Sequence, residues 1–188
     1  MNQLYDCNCP ETCEDFTMPT FSFADCTAAV KEEESEISHI YLDTITTNSE
    51  TGEKEFANLP PSVSSAAVGW YGDAAVLVGI GDLPASEKTQ RTISLRRVKF
   101  GVKTYTLNFD IDDVTPENYA ALKALNCGQE VGLAWGTIGG RIYGSVIATV
   151  IAADPIFDRG EDAYVRYNLQ FQFKAYCPPD MAEDPEAA

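Results

Sequence analysis

The feature that most constrains this chain is the run at residues 163–175, Ala-Tyr-Val-Arg-Tyr-Asn-Leu-Gln-Phe-Gln-Phe-Lys-Ala, in which apolar and polar side chains alternate. Side chains of a β-strand point in turn to opposite faces of a sheet. Strict alternation therefore predicts a strand with one face on a core and the other facing water or a second subunit. The predicted inner face carries Val165, Tyr167, Leu169, Phe171 and Phe173. The predicted outer face carries Arg166, Asn168, Gln170, Gln172 and Lys174, which become candidates for a subunit surface or for the lining of a lumen.

Further strands are predicted along the chain before this run. The β-branched and aromatic segment Ile37–Leu42 is typical of a strand. We predict a β-hairpin from Thr92–Val98 and Val102–Ile111, turning at Gly101. Two more strands are predicted on either side of a glycine-rich turn, at Val131–Trp135 and Arg141–Ile151.

One short helix is predicted between the hairpin and the later strands. Thr115 is a natural N-cap, Pro116 suits the first helical position, and Gly128 suits the left-handed residue after a helix. These signals place an α-helix at about 115–127. The predicted fold class is therefore mainly β: an antiparallel β-sandwich or barrel with one short flanking α-helix and extended arms.

Length and composition predict one domain with appendages. A chain of 188 residues is expected to form one core. We predict an acidic, cysteine-bearing N-terminal arm at 1–20, a single domain at 21–177 with a long loop or hairpin tip at 43–62, and an acidic C-terminal tail at 178–188. No apolar run approaches the roughly 20 residues of a membrane-spanning helix, so no membrane partner is expected. The start of the chain also lacks the basic and apolar regions of a signal peptide, which predicts a cytoplasmic site of assembly.

The charge is strongly acidic and unevenly distributed. The formal net charge is −16, of which residues 1–36 carry −8 and residues 178–188 carry −4, while residues 91–177 carry +1. Binding to a phosphate backbone requires clustered lysines and arginines. The overall balance therefore argues against ordinary nucleic-acid binding.

The chain offers weak candidates for a metal site and none for a catalytic set. Four cysteines near the N-terminus have some metal-ligand character, but the usual pairs separated by two residues are absent; they are Cys7, Cys9, Cys13 and Cys26. We expect no metal, no cofactor and no disulfide framework. The acids at Asp110, Asp112 and Asp113 are better explained by the positive end of the following helix. The single histidine, His39, lies in a predicted strand with no nucleophile motif beside it.

Two glycine-rich segments, 78–82 and 136–140, resemble phosphate-binding loops only superficially. Neither carries the lysine and hydroxyl residues of a nucleotide-binding loop, and we interpret both as tight turns.

Opposite charges within one chain predict contacts between copies. The first predicted hairpin is basic, whereas residues 1–36 carry a net charge of −8, so copies would be complementary head to tail. The candidate interface residues are Arg91, Arg96, Arg97, Lys99 and Lys103 of this hairpin, together with Glu50, Glu53 and Glu55 of the 43–62 segment.

A hairpin, a short helix after the acidic turn in Phe109–Tyr119, and a completing set of strands together resemble the tail tube proteins of tailed bacteriophages. The resemblance covers roughly residues 20–177. It implies a virion structural protein whose copies form hexameric rings, with rings stacked through the 1–20 arm and the 43–62 segment. It also implies that the outer strand faces line a channel through which DNA passes without sticking.

Other classes remain open on the sequence alone. One is a different virion component, such as a head–tail connector or a capsid decoration protein. Another is a monomeric β-sandwich binding module. A metal-dependent enzyme that uses the N-terminal cysteines or the aspartate cluster is the least favoured.

Overall fold

The structure is a computed structural model, and it describes residues 36–61, 63, 73–87, 90–94, 97–111, 115–125, 129–157 and 165–184. In this part of the chain strands predominate, and all strand pairs are antiparallel. The elements in chain order are β1 Ile37–Thr47, β2 Lys54–Phe56, β3 Ala75–Glu87, β4 Gln90–Ser94, β5 Arg97–Phe100, β6 Lys103–Ile111, α1 Pro116–Leu125, β7 Glu130–Thr137, β8 Arg141–Phe157, β9 Val165–Ala175 and β10 Met181–Glu183. The mainly β, antiparallel class with one short helix is confirmed.

The large sheet closes on itself because β8 pairs on both sides. The strand order is β8, β7, β1, β3, β6, β9, and β9 pairs again with β8. Strand β8 has 17 residues; residues 142–149 pair with β7 and residues 149–157 pair with β9. The result is a six-stranded barrel, with β2 added beside β1 and β10 added beside β8.

The alternation in β9 sets the inner and outer faces of the barrel as the sequence predicts. Tyr167, Leu169, Phe171 and Phe173 are at most 3% exposed and lie in the core, whereas the residues between them are half-buried or exposed. Val165 points to the same side but is 39% exposed, because it is the first residue of the strand. The interior is completed by aliphatic and aromatic residues of the other five barrel strands, including Ile40, Phe109, Leu133, Trp135 and Val150.

Two glycines of β3 make room for an aromatic ring in this interior. A Cβ atom at Gly81 would lie 2.6 Å from the carbonyl oxygen of Asn108 and 2.8 Å from the ring of Phe109, and Gly79 is also pressed against that ring. The 78–82 segment is therefore the middle of a strand. The tight turn that we expected there is wrong, because these glycines serve close packing with φ values outside the left-handed region.

Helix α1 closes one end of the barrel. Its bounds, Pro116–Leu125, fall within the predicted 115–127. Leu122 is 2% exposed in the core, Leu125 packs against the core, and the ring edge of Tyr119 meets Tyr167 at 5.7 Å between centroids. A helix of ten residues has little stability of its own, so this docking holds it.

A second apolar cluster lies on the outer face of the barrel. Tyr41, Ala134 and Ile142 project outward from three neighbouring strands and are buried beneath Leu59 and Val63. The segment that follows β2 therefore covers one side of the barrel, and Ala182 of β10 packs against the same cluster.

Two segments that were predicted without strands, apart from a hairpin tip, contain them. The 43–62 segment is a continuation of β1 to Thr47, a turn, the strand β2 and a buried cover, so only its hairpin tip fits the prediction. Within the 178–188 tail, Met181–Glu183 pair with β8. Pro178 and Pro179 precede this strand. Each lacks only its own backbone N–H donor, so the residues after them can still pair with β8.

The predicted hairpin, in which Thr92–Val98 pairs with Val102–Ile111, does not form. Strand β6 pairs with β3 and β9, whereas β4 and β5 pair with each other as a separate two-stranded sheet. Alternation identifies a strand but says nothing about which strand lies beside it.

The face assignment of β9 can be tested with a matched pair of substitutions. Phe171→Asp places a charge in the barrel interior without a partner, and we expect it to lower the free energy of unfolding by at least about 3–5 kcal/mol. Gln172→Asp, one residue later on the outer face, should change it by about 1 kcal/mol or less. Chemical denaturation followed by circular dichroism measures both, and equal losses would contradict the assignment.

Candidate functional site

A basic two-stranded ribbon extends from one end of the barrel. The β3–β6 ladder ends at Glu87 opposite Thr104, and the β4–β5 ladder then runs from Gln90 opposite Phe100 to Ser94 opposite Arg97. Two residues join β3 to β4 and two join β5 to β6, so the second ladder follows directly on the first. Residues 88–103 hold six of the 13 lysines and arginines and no acid. We call strands β4 and β5, which contain Arg91, Arg97 and Lys99, the basic ribbon.

An acidic turn lies between β1 and β2. The Asn48 amide donates to the Glu53 carbonyl at 2.8 Å, the Gly52 amide donates back to the Asn48 carbonyl at 2.8 Å, and Gly52 takes the left-handed conformation with φ of 71°. The Asn48 side-chain oxygen accepts from the amide of Glu50 at 2.9 Å. Glu50 and Glu53 are exposed on this turn, and Glu55 is exposed on the adjoining strand β2; we call the turn with these three residues the acidic tip.

The basic ribbon and the acidic tip lie at opposite ends of the barrel. Strands β1 and β3 are antiparallel, with Ile37 opposite Gly81 and Leu42 opposite Ala75. Strand β1 continues past Leu42 toward the acidic tip, while β3 continues past Gly81 toward the basic ribbon. The predicted interface residues are therefore not brought together within one copy. Arg96 lies outside the described residues, and the placement of Arg91, Arg97 and Lys99 is known for the backbone alone.

Asp43 binds Asn58 and Leu59 of the segment that follows β2 and covers the barrel. We call this set of hydrogen bonds the Asp43 clamp. The Asp43 carboxylate is buried, and it accepts hydrogen bonds from the amides of Asn58 and Leu59 at 2.6 and 2.8 Å and from the Thr44 amide at 2.8 Å. The Asn58 side chain donates a fourth bond at 2.9 Å. Burial raises the pKa of this carboxyl, but the four hydrogen bonds outweigh burial and hold the pKa below its ordinary value of 3.8. The sequence gives no signal for this clamp, because an aspartate after an apolar run is a common turn residue.

The outer face of β6 and β9 is a largely neutral polar surface. Its rows follow from the register, with Asn108 opposite Gln170, Thr106 opposite Gln172 and Thr104 opposite Lys174. We call the residues of these three rows the amide face.

Charged side chains lie at one end of the amide face. Asp110 accepts from Arg166 at 3.1 Å and from Asn168 at 2.5 Å. The outer face also carries Asp82, opposite Asn108, and Asp154, opposite Asn168. Acidic side chains from neighbouring strands thus accompany the two bases of β9. Asp112 and Asp113 lie outside the described residues, so the explanation of that cluster by the helix remains a prediction.

His39 lies between a serine and a buried carboxylate. Ser38 Oγ is 2.8 Å from His39 Nδ1, and His39 Nε2 is 3.3 Å from Oδ2 of Asp184, whose side chain is 1% exposed. The ring covers Gly136, where a Cβ atom would collide with it. Because Asp184 also donates its amide to the Gly140 carbonyl at 3.0 Å, this contact anchors the segment that contains β10. Serine, histidine and carboxylate are also the members of a catalytic triad, but here Nδ1 faces the serine and Nε2 faces the carboxylate, the reverse of the usual arrangement.

A cleft of about 340 Å³ lies beside α1, at the end of the barrel that this helix closes. Its walls are mostly aliphatic, with Leu42, Leu77, Leu122 and Val131 among them, and polar groups of Asp73 and Glu130 lie at its margin. Glu130 is also the partner of Lys54. The Asp43 carboxylate also lines this cleft, where amide groups of Asn58 and Leu59 bind it.

Cysteine placement differs from expectation at one position. Cys177 is buried and disulfide-bonded, whereas the sequence predicted no disulfide framework. Cys7, Cys9, Cys13, Cys26 and Cys127 lie outside the described residues. Within the described ranges no three histidines, cysteines or acids are grouped as metal ligands would be. In the same ranges no helix has the length and apolar character needed to cross a membrane.

Comparisons of this chain with protein-family models, curated proteins and solved structures find no match.

The Asp43 clamp makes a pH-dependent prediction. Asp43→Asn replaces one acceptor oxygen by a donor that faces backbone amides, and we expect it to lower the free energy of unfolding at pH 7 by about 1–3 kcal/mol. Since the folded-state pKa of Asp43 is lowered, its contribution is fully present above the ordinary value of 3.8 and is lost as pH falls through the folded-state pKa. The difference between wild type and variant should therefore shrink in acid.

Denaturation curves across the acid range measure this difference. Asp82→Asn, at an exposed position, is the control and should leave stability at pH 7 within about 0.5 kcal/mol of wild type. A difference between Asp43→Asn and wild type that stays constant to the lowest pH would exclude the clamp as its source.

Proposed function

We propose that this chain is a virion structural protein, a tail tube subunit whose copies form stacked hexameric rings around a DNA-conducting channel. Its partners are further copies of itself and other virion proteins, and it is assembled in the host cytoplasm. The observation that carries the proposal is the placement of the basic ribbon and the acidic tip at opposite ends of one barrel.

Opposite charge at opposite ends favours a head-to-tail contact. Such a contact uses two different surfaces, so each copy that binds leaves a free surface for the next. Copies with a net charge of −16 repel one another at most orientations. The basic ribbon is the part of the chain where a second acidic copy is attracted, and this attraction selects one orientation.

Both elements suit contact between rings. The acidic tip is held by backbone hydrogen bonds across its turn, so little conformational entropy is lost when it docks. The basic ribbon continues β3 and β6 beyond their last residue pair, Glu87 and Thr104. It therefore lies at the end of the barrel opposite the acidic tip.

The amide face suits the lining of the channel. DNA is retained by clustered cations, and the amide face carries one lysine among amides and hydroxyls, with aspartates beside it. A surface of this kind repels or ignores phosphates, so DNA would slide along it. Of the two bases of β9, Arg166 forms an ion pair with Asp110, which supports this proposal.

A charge-exchange experiment tests the head-to-tail contact. Each variant should lose assembly at least tenfold, because like charges then meet at the contact. One variant reverses the basic ribbon, with Arg91→Glu, Arg97→Glu and Lys99→Glu; the other reverses the acidic tip, with Glu50→Lys, Glu53→Lys and Glu55→Lys. An equimolar mixture should restore assembly, since each reversed end then meets an end of opposite sign. Sedimentation and negative-stain microscopy measure the assembled fraction.

Circular dichroism of each variant alone shows that loss of assembly is not loss of folding. Failure of the mixture to assemble, with both variants folded, would contradict the contact. Wild-type assembly should also weaken between about 0.1 and 1 M salt, where the screening length falls from about 10 to 3 Å.

The channel assignment makes a separate prediction. Gln170→Lys with Gln172→Lys adds two cations per copy on the amide face, and assembled particles should then retain double-stranded DNA in a salt-sensitive manner. The control adds the same charge elsewhere, through Ala121→Lys and Met181→Lys at exposed positions. A filter-binding assay compares the two. Equal DNA retention by both variants would place the amide face outside the channel.

A further inference from the structure

Strand β3 exposes a row of aliphatic side chains on the outside of the barrel. Val76, Val78 and Ile80 are 50%, 70% and 63% exposed. They alternate with residues that point inward, so they form one line on the outer face, here called the β3 strip. Burying such a row is favourable, since apolar surface leaves water.

The β3 strip continues an apolar surface that is covered on its other side. On the adjoining strand, Tyr41 lies opposite Val76 and is only 4% exposed, because Leu59 and Val63 pack in the cluster above it. Among the described residues this cover does not extend onto β3.

The charges along β3 indicate what kind of partner fits the strip. Asp73 before it and Asp82 after it are both exposed. An acidic segment would be repelled there, whereas an uncharged apolar segment would not.

The N-terminal part of the chain contains such a segment and joins the barrel beside the strip. Phe16–Ala24 is the longest run without a charged residue before Glu36, and Phe21 and Phe23 alternate within it. The chain enters the first strand at Ile37, which pairs with Gly81, the neighbour of Ile80. Twelve residues separate Ala24 from Ile37 and can span up to about 40 Å, whereas the strip is about 13 Å long.

We propose that the β3 strip is the docking site for Phe16–Ala24 of the same chain in the unassembled subunit. This interaction goes beyond the assembly role and does not depend on it. Docking covers the strip with a neutral apolar segment and leaves the acidic parts of residues 1–36 in water.

Site-specific photocrosslinking tests this docking. The full chain carries p-benzoylphenylalanine in place of Val78, and it is irradiated at a concentration at which sedimentation shows monomers. Mass spectrometry of the digest should find crosslinks concentrated in residues 16–24. The same probe in place of Gln172, on the outer face of β9, is the control and should yield at least fivefold fewer crosslinks to that segment.

Mixed isotopic labelling separates the same chain from a second copy. With equal amounts of light and heavy protein, docking within one chain gives only light–light and heavy–heavy pairs. Light–heavy pairs, crosslinks to other segments, or no crosslinks at position 78 would each overturn the proposal. Phe21→Ser with Phe23→Ser should lower the crosslink yield at least fivefold while the circular dichroism spectrum is unchanged, and an unchanged yield would also overturn it. Because the measurement uses monomers, failure of docking leaves the head-to-tail contact to be judged by its own test.

Discussion

The rest of the structure depends on the double pairing of β8. One side of this strand bonds to β7, the other to β9, and the two contacts together turn an open sheet into a barrel. Closure leaves the barrel strands with partners on both sides over most of their length, which removes exposed edges that would otherwise pair without specificity. It also separates an aromatic and aliphatic interior from an outer face that is free to carry charge, amides or apolar rows. Each surface discussed above is a consequence of that separation.

The sequence predicted the elements whose pattern is local. β9 shows its two faces in its own alternation, and α1 is delimited by Thr115 and Pro116. What the sequence did not predict depends on contacts between distant residues. The partners of β6 are β3 and β9 because the whole barrel must close, and no property of residues 103–111 encodes that choice.

The same distinction applies to the candidate sites. The residues of the acidic tip and the basic ribbon were identified from charge alone, but their opposite positions required the register between β1 and β3. The contacts of Asp43 with Asn58 and of His39 with Asp184 were missed, because each joins residues with no shared motif. Strand β10 was also missed, because its pairing with β8 joins residues far apart in the chain.

The glycines of β3 reverse the usual distribution of large and small side chains between the two faces of the strand. Gly79 and Gly81 face the interior and leave its volume to Phe109, while the larger aliphatic side chains of the same stretch face outward. At Gly79 and Gly81 no side chain anchors β3 in the interior, and the backbone ladder with β6 holds the strand there. A stretch with few buried side chains opens locally more easily. We therefore expect amide hydrogen exchange to be faster in β3 than in β9 until a chain segment covers the outer face of β3. The amide exchange rate of β3 would then indicate whether the outer face of this strand is covered.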